Sequence, residues 1–207
     1  MKCKRIITLF MMMTITVISY AQVFSTKFLP STAEDYVLLL QREGYQSYSI
    51  DISALKNENY LVEPVIRHYK GGKQVENPFD FGIAFNTHDS KSVSEKVRVG
   101  FSPGNNPSIR MMNFHVSGAI QIPLLFDEQK NPKTGEVDEH YGYRPFVVEQ
   151  IELGKFIPIA LCGAYWYDEE GELFRFCGDN EITPSMNEDI LKSIEEYYVI
   201  GMIIKKQ

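Results

Sequence analysis

Apolar and polar residues alternate with a period of two along most of this chain. From Tyr45 onward, Gln46, Tyr48, Ile50 and Ile52 alternate with Tyr45, Ser47, Ser49 and Asp51, the pattern of a half-buried strand. Tyr60–Tyr69 and Lys73–Glu76 flank Lys70-Gly71-Gly72, where the two glycines supply the positive φ of a tight hairpin turn. Further strands are expected over Phe79–Phe85, Lys96–Phe101, Ile109–Val116, Ala119–Phe126, Pro145–Leu153, Phe156–Tyr167 and Leu173–Cys177. Between them, Ser102–Pro107 is turn chemistry. Asp127–His140, with its tip at Asn131–Gly135, is expected to form a long exposed hairpin loop.

Two segments switch to helical spacing. Ser31-Thr32-Ala33-Glu34 has the form of a capping box, followed by Ala33, Tyr36, Val37 and Leu40 on one face and by Gly44 as a stop. A second capping box runs from Ser185 to Glu188, and Met186, Ile190, Ile194 and Tyr197 line one face of the helix it opens. Tyr198–Ile204 is nearly continuous apolar sequence, which suits a central strand covered on both faces. The fold class expected is mainly β: an antiparallel β-sandwich-like or open-barrel domain with a short N-terminal helix and a short helix before the last strand. Strand and helix do not alternate regularly, which argues against a doubly wound parallel sheet.

The first 21 residues depart from both patterns. Lys2, Lys4 and Arg5 precede an apolar run from Ile6 to Ser19, and Ser19-Tyr20-Ala21 ends it as a small-x-small cleavage site. Those are the three parts of a secretory signal peptide, expected over residues 1–21, with a single β-rich domain over 22–207. The apolar run is shorter than the roughly 20 residues that span a bilayer, so no transmembrane anchor is expected. Export places the domain in the periplasm or outside the cell.

Composition is that of a globular protein, 44% apolar and 23% charged. Without Lys2, Lys4 and Arg5, 18 basic residues face 27 acidic ones, a net charge of −9 with His neutral. That balance argues against nucleic acid as a partner, because phosphate binding depends on clustered Lys and Arg.

Cys3 belongs to the leader. Cys162 and Cys177 remain, in a compartment that permits a disulfide. If Tyr167 pairs with Glu172 across the Asp168–Gly171 turn, the cysteines face each other; if Asp168 pairs with Glu172, they fall on opposite faces and are buried thiols. Glu136, Asp138 and His140 share one side of an extended segment, a candidate set for calcium; a solvated acidic loop is the plainer reading. Tyr165, Trp166 and Tyr167 precede the acidic turn, and Tyr141 and Tyr143 flank Gly142. Exposed, these rings form a platform for sugars; buried, they pack as core. Arg144 is placed either to clamp a carboxylate or to rest on a ring. His115, in a strand-like run, is expected to be half-buried, and His88-Asp89 stands near Ser90, Ser92 and Ser94. No zinc-protease His-Glu-x-x-His and no Gly-x-Ser-x-Gly elbow is present, so no catalytic residue is assigned.

In general character the chain resembles the small secreted proteins of unknown function common in Bacteroidetes. The likeness rests on the short Met-rich leader ending in Tyr20-Ala21-Gln22, the hairpin from Glu63-Pro64-Val65 to Gly71-Gly72, and that from Phe156-Ile157-Pro158 to Gly178. It implies an exported protein and brings no catalytic residues with it. The expected function is a non-catalytic binding or structural module of the cell envelope, with a glycan or an envelope protein as ligand. The competing expectation is a secreted hydrolase built on carboxylates and His140.

Overall fold

A computed structural model describes residues 33–75, 82–88 and 93–207. The leader, Gln22, Ser31 of the first capping box, residues 79–81, and Asp89, Ser90 and Ser92 lie outside the described residues; of the strand expected over Phe79–Phe85, the described residues 82–84 are irregular and only Phe85 is in a strand. The unit from Glu34 to Gln207 is an antiparallel β-sandwich-like domain.

Helix α1 (Ala33–Arg42) ends where Gly44 takes φ +82°. The Tyr45 N–H reaches back to the Leu40 carbonyl (2.9 Å) and the Gly44 N–H to that of Gln41 (3.0 Å), a Schellman closure. Tyr36, Val37 and Leu40, the apolar positions expected on its inner face, are however about half exposed. Val37 and Leu40 instead border a shallow groove with Tyr45 and Phe101.

One sheet has the order β1 (Gln46–Asp51), β5 (Lys96–Pro103), β6 (Ile109–His115), β7 (Ala119–Leu125). The other runs β10 (Tyr141–Pro145), β11 (Phe156–Ala164), β14 (Glu196–Lys206), β2 (Tyr60–Lys70), β3 (Lys73–Val75), with β4 (Phe85–Asn86) also paired to β2. Gly71 and Gly72 both take positive φ in the β2–β3 turn, and Lys70 faces Lys73, as the sequence predicts. Two short ladders stand apart: β8 (Gln129–Lys130) with β9 (Val137–Asp138), and β12 (Trp166–Asp168) with β13 (Leu173–Arg175).

The main core lies between the two sheets. Val97, Val99 and Phe101 of β5 and Met112 and Phe114 of β6 pack in one cluster with Val62 and Ile66 of β2 and Tyr198, Ile200 and Met202 of β14. A second cluster covers the opposite face of the larger sheet, where Leu161, Tyr197 and Val199 meet Phe146, Ile182, Ile190 and Ile194. β14 is thus apolar at odd and even positions alike because both of its faces are covered.

A buried polar knot ties the sheets at one end. Glu196, 2% exposed, meets His68 Nε2 (2.7 Å) and Lys70 Nζ (3.1 Å) through Oε1, and accepts the Asp127 N–H (2.7 Å) through Oε2. Lys70 also pairs with the Asp127 carboxylate (2.8 Å), and the His68 ring stacks on Tyr198 at 4.1 Å.

Three expectations are corrected. Pro145–Leu153 is not a strand: β10 begins earlier, at Tyr141, and the chain leaves the sheet after Phe146 makes a single bridge to Ile182. Val148 and Ile151, three residues apart, pack on the core from an irregular segment. The second capping box does not open a helix at Ser185, since Met186 has φ +54° and Glu188 Oε1 accepts the Thr183 N–H (2.6 Å). Only one turn forms, α2 (Ile190–Ser193), although Met186, Ile190, Ile194 and Tyr197 share the second cluster as their spacing implied. His115 is exposed at the end of β6 rather than half-buried.

Candidate ligand-binding cleft

The period of two sends Tyr141 and Tyr143 of β10 to one side of the larger sheet, toward the main core. Tyr143 stacks on Phe101 (4.9 Å) and donates its hydroxyl to the Gly44 carbonyl (3.3 Å). Tyr141 lies against Phe126 (4.6 Å) and donates to the Pro107 carbonyl (2.8 Å). The two phenols therefore fasten β10 to the end of α1 and to the β5–β6 turn. Above them opens a cleft of about 780 Å³, walled by Gln41–Gly44, Pro103–Pro107 and Val137–His140, with Tyr165 at one side.

Arg110 lines this cleft and is 9% exposed. Its guanidinium lies 4.2 Å from the centre of the Tyr141 ring, and Nη2 donates to the Glu139 carbonyl (2.6 Å). Nε is buried without a hydrogen-bond partner, and no carboxylate among the described residues lies within 4 Å. Sequence reasoning missed Arg110, yet the signal was present: it shares parity with Met112 and Phe114, the buried positions of β6.

Asp138 and His140 stand together on the cleft wall. Asp138 Oδ1 meets His140 Nδ1 at 2.7 Å, and a carboxylate only accepts, so Nδ1 is the donor and, in the neutral ring, Nε2 is the acceptor. The Asp138 side chain is 7% exposed and that of His140 74%, with the imidazole 5.7 Å from the Tyr165 ring. Glu136 does not join them. It accepts from Thr134 Oγ1 (3.1 Å) at the hairpin tip, because β9 begins only at Val137 and leaves Glu136 outside the extended segment. Among the described residues, no three His, Cys, Asp or Glu side chains converge as metal ligands, so the expected calcium set is not assembled.

The remaining aromatic candidates divide. Tyr165 sits between β11 and β12, outside either ladder, and reaches the cleft. Trp166 turns to the second cluster beside Phe176 (5.9 Å), and Tyr167 packs edge-on against Phe174 (5.4 Å). The three rings therefore form no common platform. Arg144 rests above the Phe176 ring (4.8 Å) and holds backbone: Nε donates to the Asp179 carbonyl (2.6 Å) and Nη2 to that of Phe176 (3.2 Å). His88 bonds the Lys56 carbonyl through its ring (3.0 Å).

Neither register foreseen for the cysteine hairpin occurs. Asp168 pairs with Leu173, leaving a four-residue turn in which Glu172 takes φ +53°, and β11 has already ended at Ala164. Cys162 faces Tyr143 and Tyr198 in the larger sheet, while Cys177 lies beyond β13; both are free thiols, the first buried and the second exposed. Burial pushes the Cys162 thiol well above the usual range. Peptide mapping after native thiol labelling is expected to show Cys177 modified and Cys162 unmodified until denaturant is added.

Burial also raises the Tyr141 hydroxyl to about 12, with Arg110 pulling it down, and raises Tyr143 further. Burial takes Tyr197 of the second cluster to about 12 as well. In the unfolded chain these phenols ionise near pH ~10. The folded state favours the neutral form, so this stabilisation is complete below pH ~10 and is lost as pH rises toward about 12. The urea midpoint is therefore expected to hold steady up to about pH 9.5 and to fall above it, alongside the tyrosinate absorbance.

Fold and cleft together define an antiparallel β-sandwich-like domain with a polar, tyrosine-lined cleft at one end. The chain belongs to the domain-of-unknown-function family DUF5041, whose match covers residues 18–206. No curated protein and no solved structure matches it.

Proposed function

We propose that this protein is an exported, non-catalytic binding module of the cell envelope, of the small secreted Bacteroidetes type, and that its cleft receives a saccharide. The observation that carries this reading is the convergence of Tyr141, Tyr143, Tyr165, Arg110 and His140 around one cleft of about 780 Å³. That volume lies within the range of small-ligand sites, and an aromatic wall with a few fixed polar groups is the surface on which sugar rings stack. The basic, apolar and small-residue segments of residues 1–21 support export, and with it an encounter with envelope glycans.

Thermal melting against cell-wall and dietary glycans tests the reading. A ligand at 100 times its dissociation constant is expected to add about 2.7 kcal/mol, a rise of roughly 5–10 °C for a domain of this size. Tyr165→Ala is expected to weaken that ligand about tenfold with little change in the unliganded melting temperature. A flat response across the panel would count against a saccharide site.

The Asp138–His140 pair favours a second reading, a hydrolase in which Nε2 takes a proton from water while Asp138 holds the ring. On that reading His140→Gln abolishes turnover of glycoside or ester substrates. A binding module has no turnover to lose.

A further inference from the structure

We infer that the sugar received by this cleft carries a carboxylate, and that the carboxylate pairs with Arg110. The inference rests on the saccharide reading above and deepens it. Arg110 is a guanidinium nine-tenths withdrawn from water, and a buried charge is costly unless it is matched by an opposite charge. Its present partners are one carbonyl, that of Glu139, and the face of Tyr141; neither supplies negative charge. Nε has no partner at all. Nη1 points toward the Gly44 end of the cleft, where a methyl group built on Gly44 would come within 4.0 Å of it.

The acids around the cleft do not meet that need. Asp138 is committed to His140, while Glu43 and Glu139 are exposed residues whose fields are screened by water. Arg42 lies on the same wall and adds positive charge. Arg110 is therefore a withdrawn positive charge on the cleft with no carboxylate in reach, and its planar fork suits one. His140, with Nε2 as an acceptor, and the Tyr165 ring are placed for the hydroxyls and face of the same sugar. The ligand class this selects is an acidic sugar such as a uronate.

The test compares glucuronate, galacturonate, N-acetylmuramate and N-acetylneuraminate, each against its own methyl ester, on the whole protein. Affinity is read by NMR titration, following the Arg110 Nε–H signal as well as the backbone. At least one free acid is expected to bind about 10- to 100-fold more tightly than its ester, the range for a charge-assisted hydrogen bond. The Arg110 signal should shift on binding, Arg110→Met should remove the acid's advantage, and Arg110→Lys should keep part of it. If acid and ester bind equally well, the carboxylate pairing is overturned and the saccharide site stands. If neither form of any sugar moves a cleft resonance, both readings fall. Should Arg110→Met fail to fold, the acid–ester comparison on the unaltered protein still decides the question.

Discussion

Glu196→Ala is expected to lower stability by about 3–5 kcal/mol, the cost of removing one member of a buried charge network. Glu196 is met by His68 and Lys70 of the neighbouring strand through one oxygen, and it accepts the Asp127 N–H, just past the end of β7, through the other. Its removal strands His68, 8% exposed, and leaves the Asp127 N–H without an acceptor, while Lys70 retains the Asp127 carboxylate. For a domain of this size the melting temperature should drop by roughly 6–20 °C. Glu196→Gln does not repair the site, because either amide orientation turns an NH₂ toward a donor; it should cost about 1–3 kcal/mol. Urea melts measure both. A change below about 1 kcal/mol for the alanine variant would mean that the knot does not hold the sheets together.

Gly142→Ala is expected to destabilise by about 2–4 kcal/mol through overpacking. Gly142 of β10 faces Gly163 of β11 across the ladder, and the Phe176 ring lies over the pair. A methyl group on Gly142 would fall inside that ring, and one on Gly163 would stand 3.2 Å from it and 3.0 Å from Ile194. Displacing Phe176 also disturbs Tyr165, which stacks on it at 5.6 Å, so the variant should weaken saccharide binding along with stability. Phe176→Ala supplies the check. In its background the added methyl meets empty space, and the two changes together should cost clearly less than the sum of the two measured singly. Additive costs would show that the ring is not what the methyl strikes.

Where one period governed a whole element, the fold was legible in the sequence. The Gly71-Gly72 hairpin, the half-buried β1 and the doubly covered β14 follow from local spacing, and each forms within a residue or two of its expected limits. Local competition defeated the reading elsewhere. Glu188 suits the third position of a helix, yet it closes a turn on Thr183 instead. Glu172 takes a left-handed conformation in a four-residue turn, and the β12–β13 register lies past both expected pairings. The cleft was legible only in fragments. Tyr141, Tyr143, Tyr165, Asp138 and His140 all stood out as residue types, but their meeting depends on α1 and the β5–β6 turn, which lie far away in sequence. Arg110 was hidden by its neighbours: among Ile109, Met111 and Met112 it reads as a strand's solvent-facing charge until its parity is counted.

The position of β14 bears on how the chain acquires its shape. It is a late segment in sequence and yet the middle plank of the larger sheet, hydrogen-bonded along its length to β2 on one side and β11 on the other. These two flanking strands, separated by some ninety residues, have no ladder between them until Glu196–Lys206 arrives. A chain threaded through a pore from its N-terminus would emerge with both partners waiting and their apolar faces uncovered. Completion of this sheet therefore waits for β14, and a chain stopped short of residue 196 cannot make it.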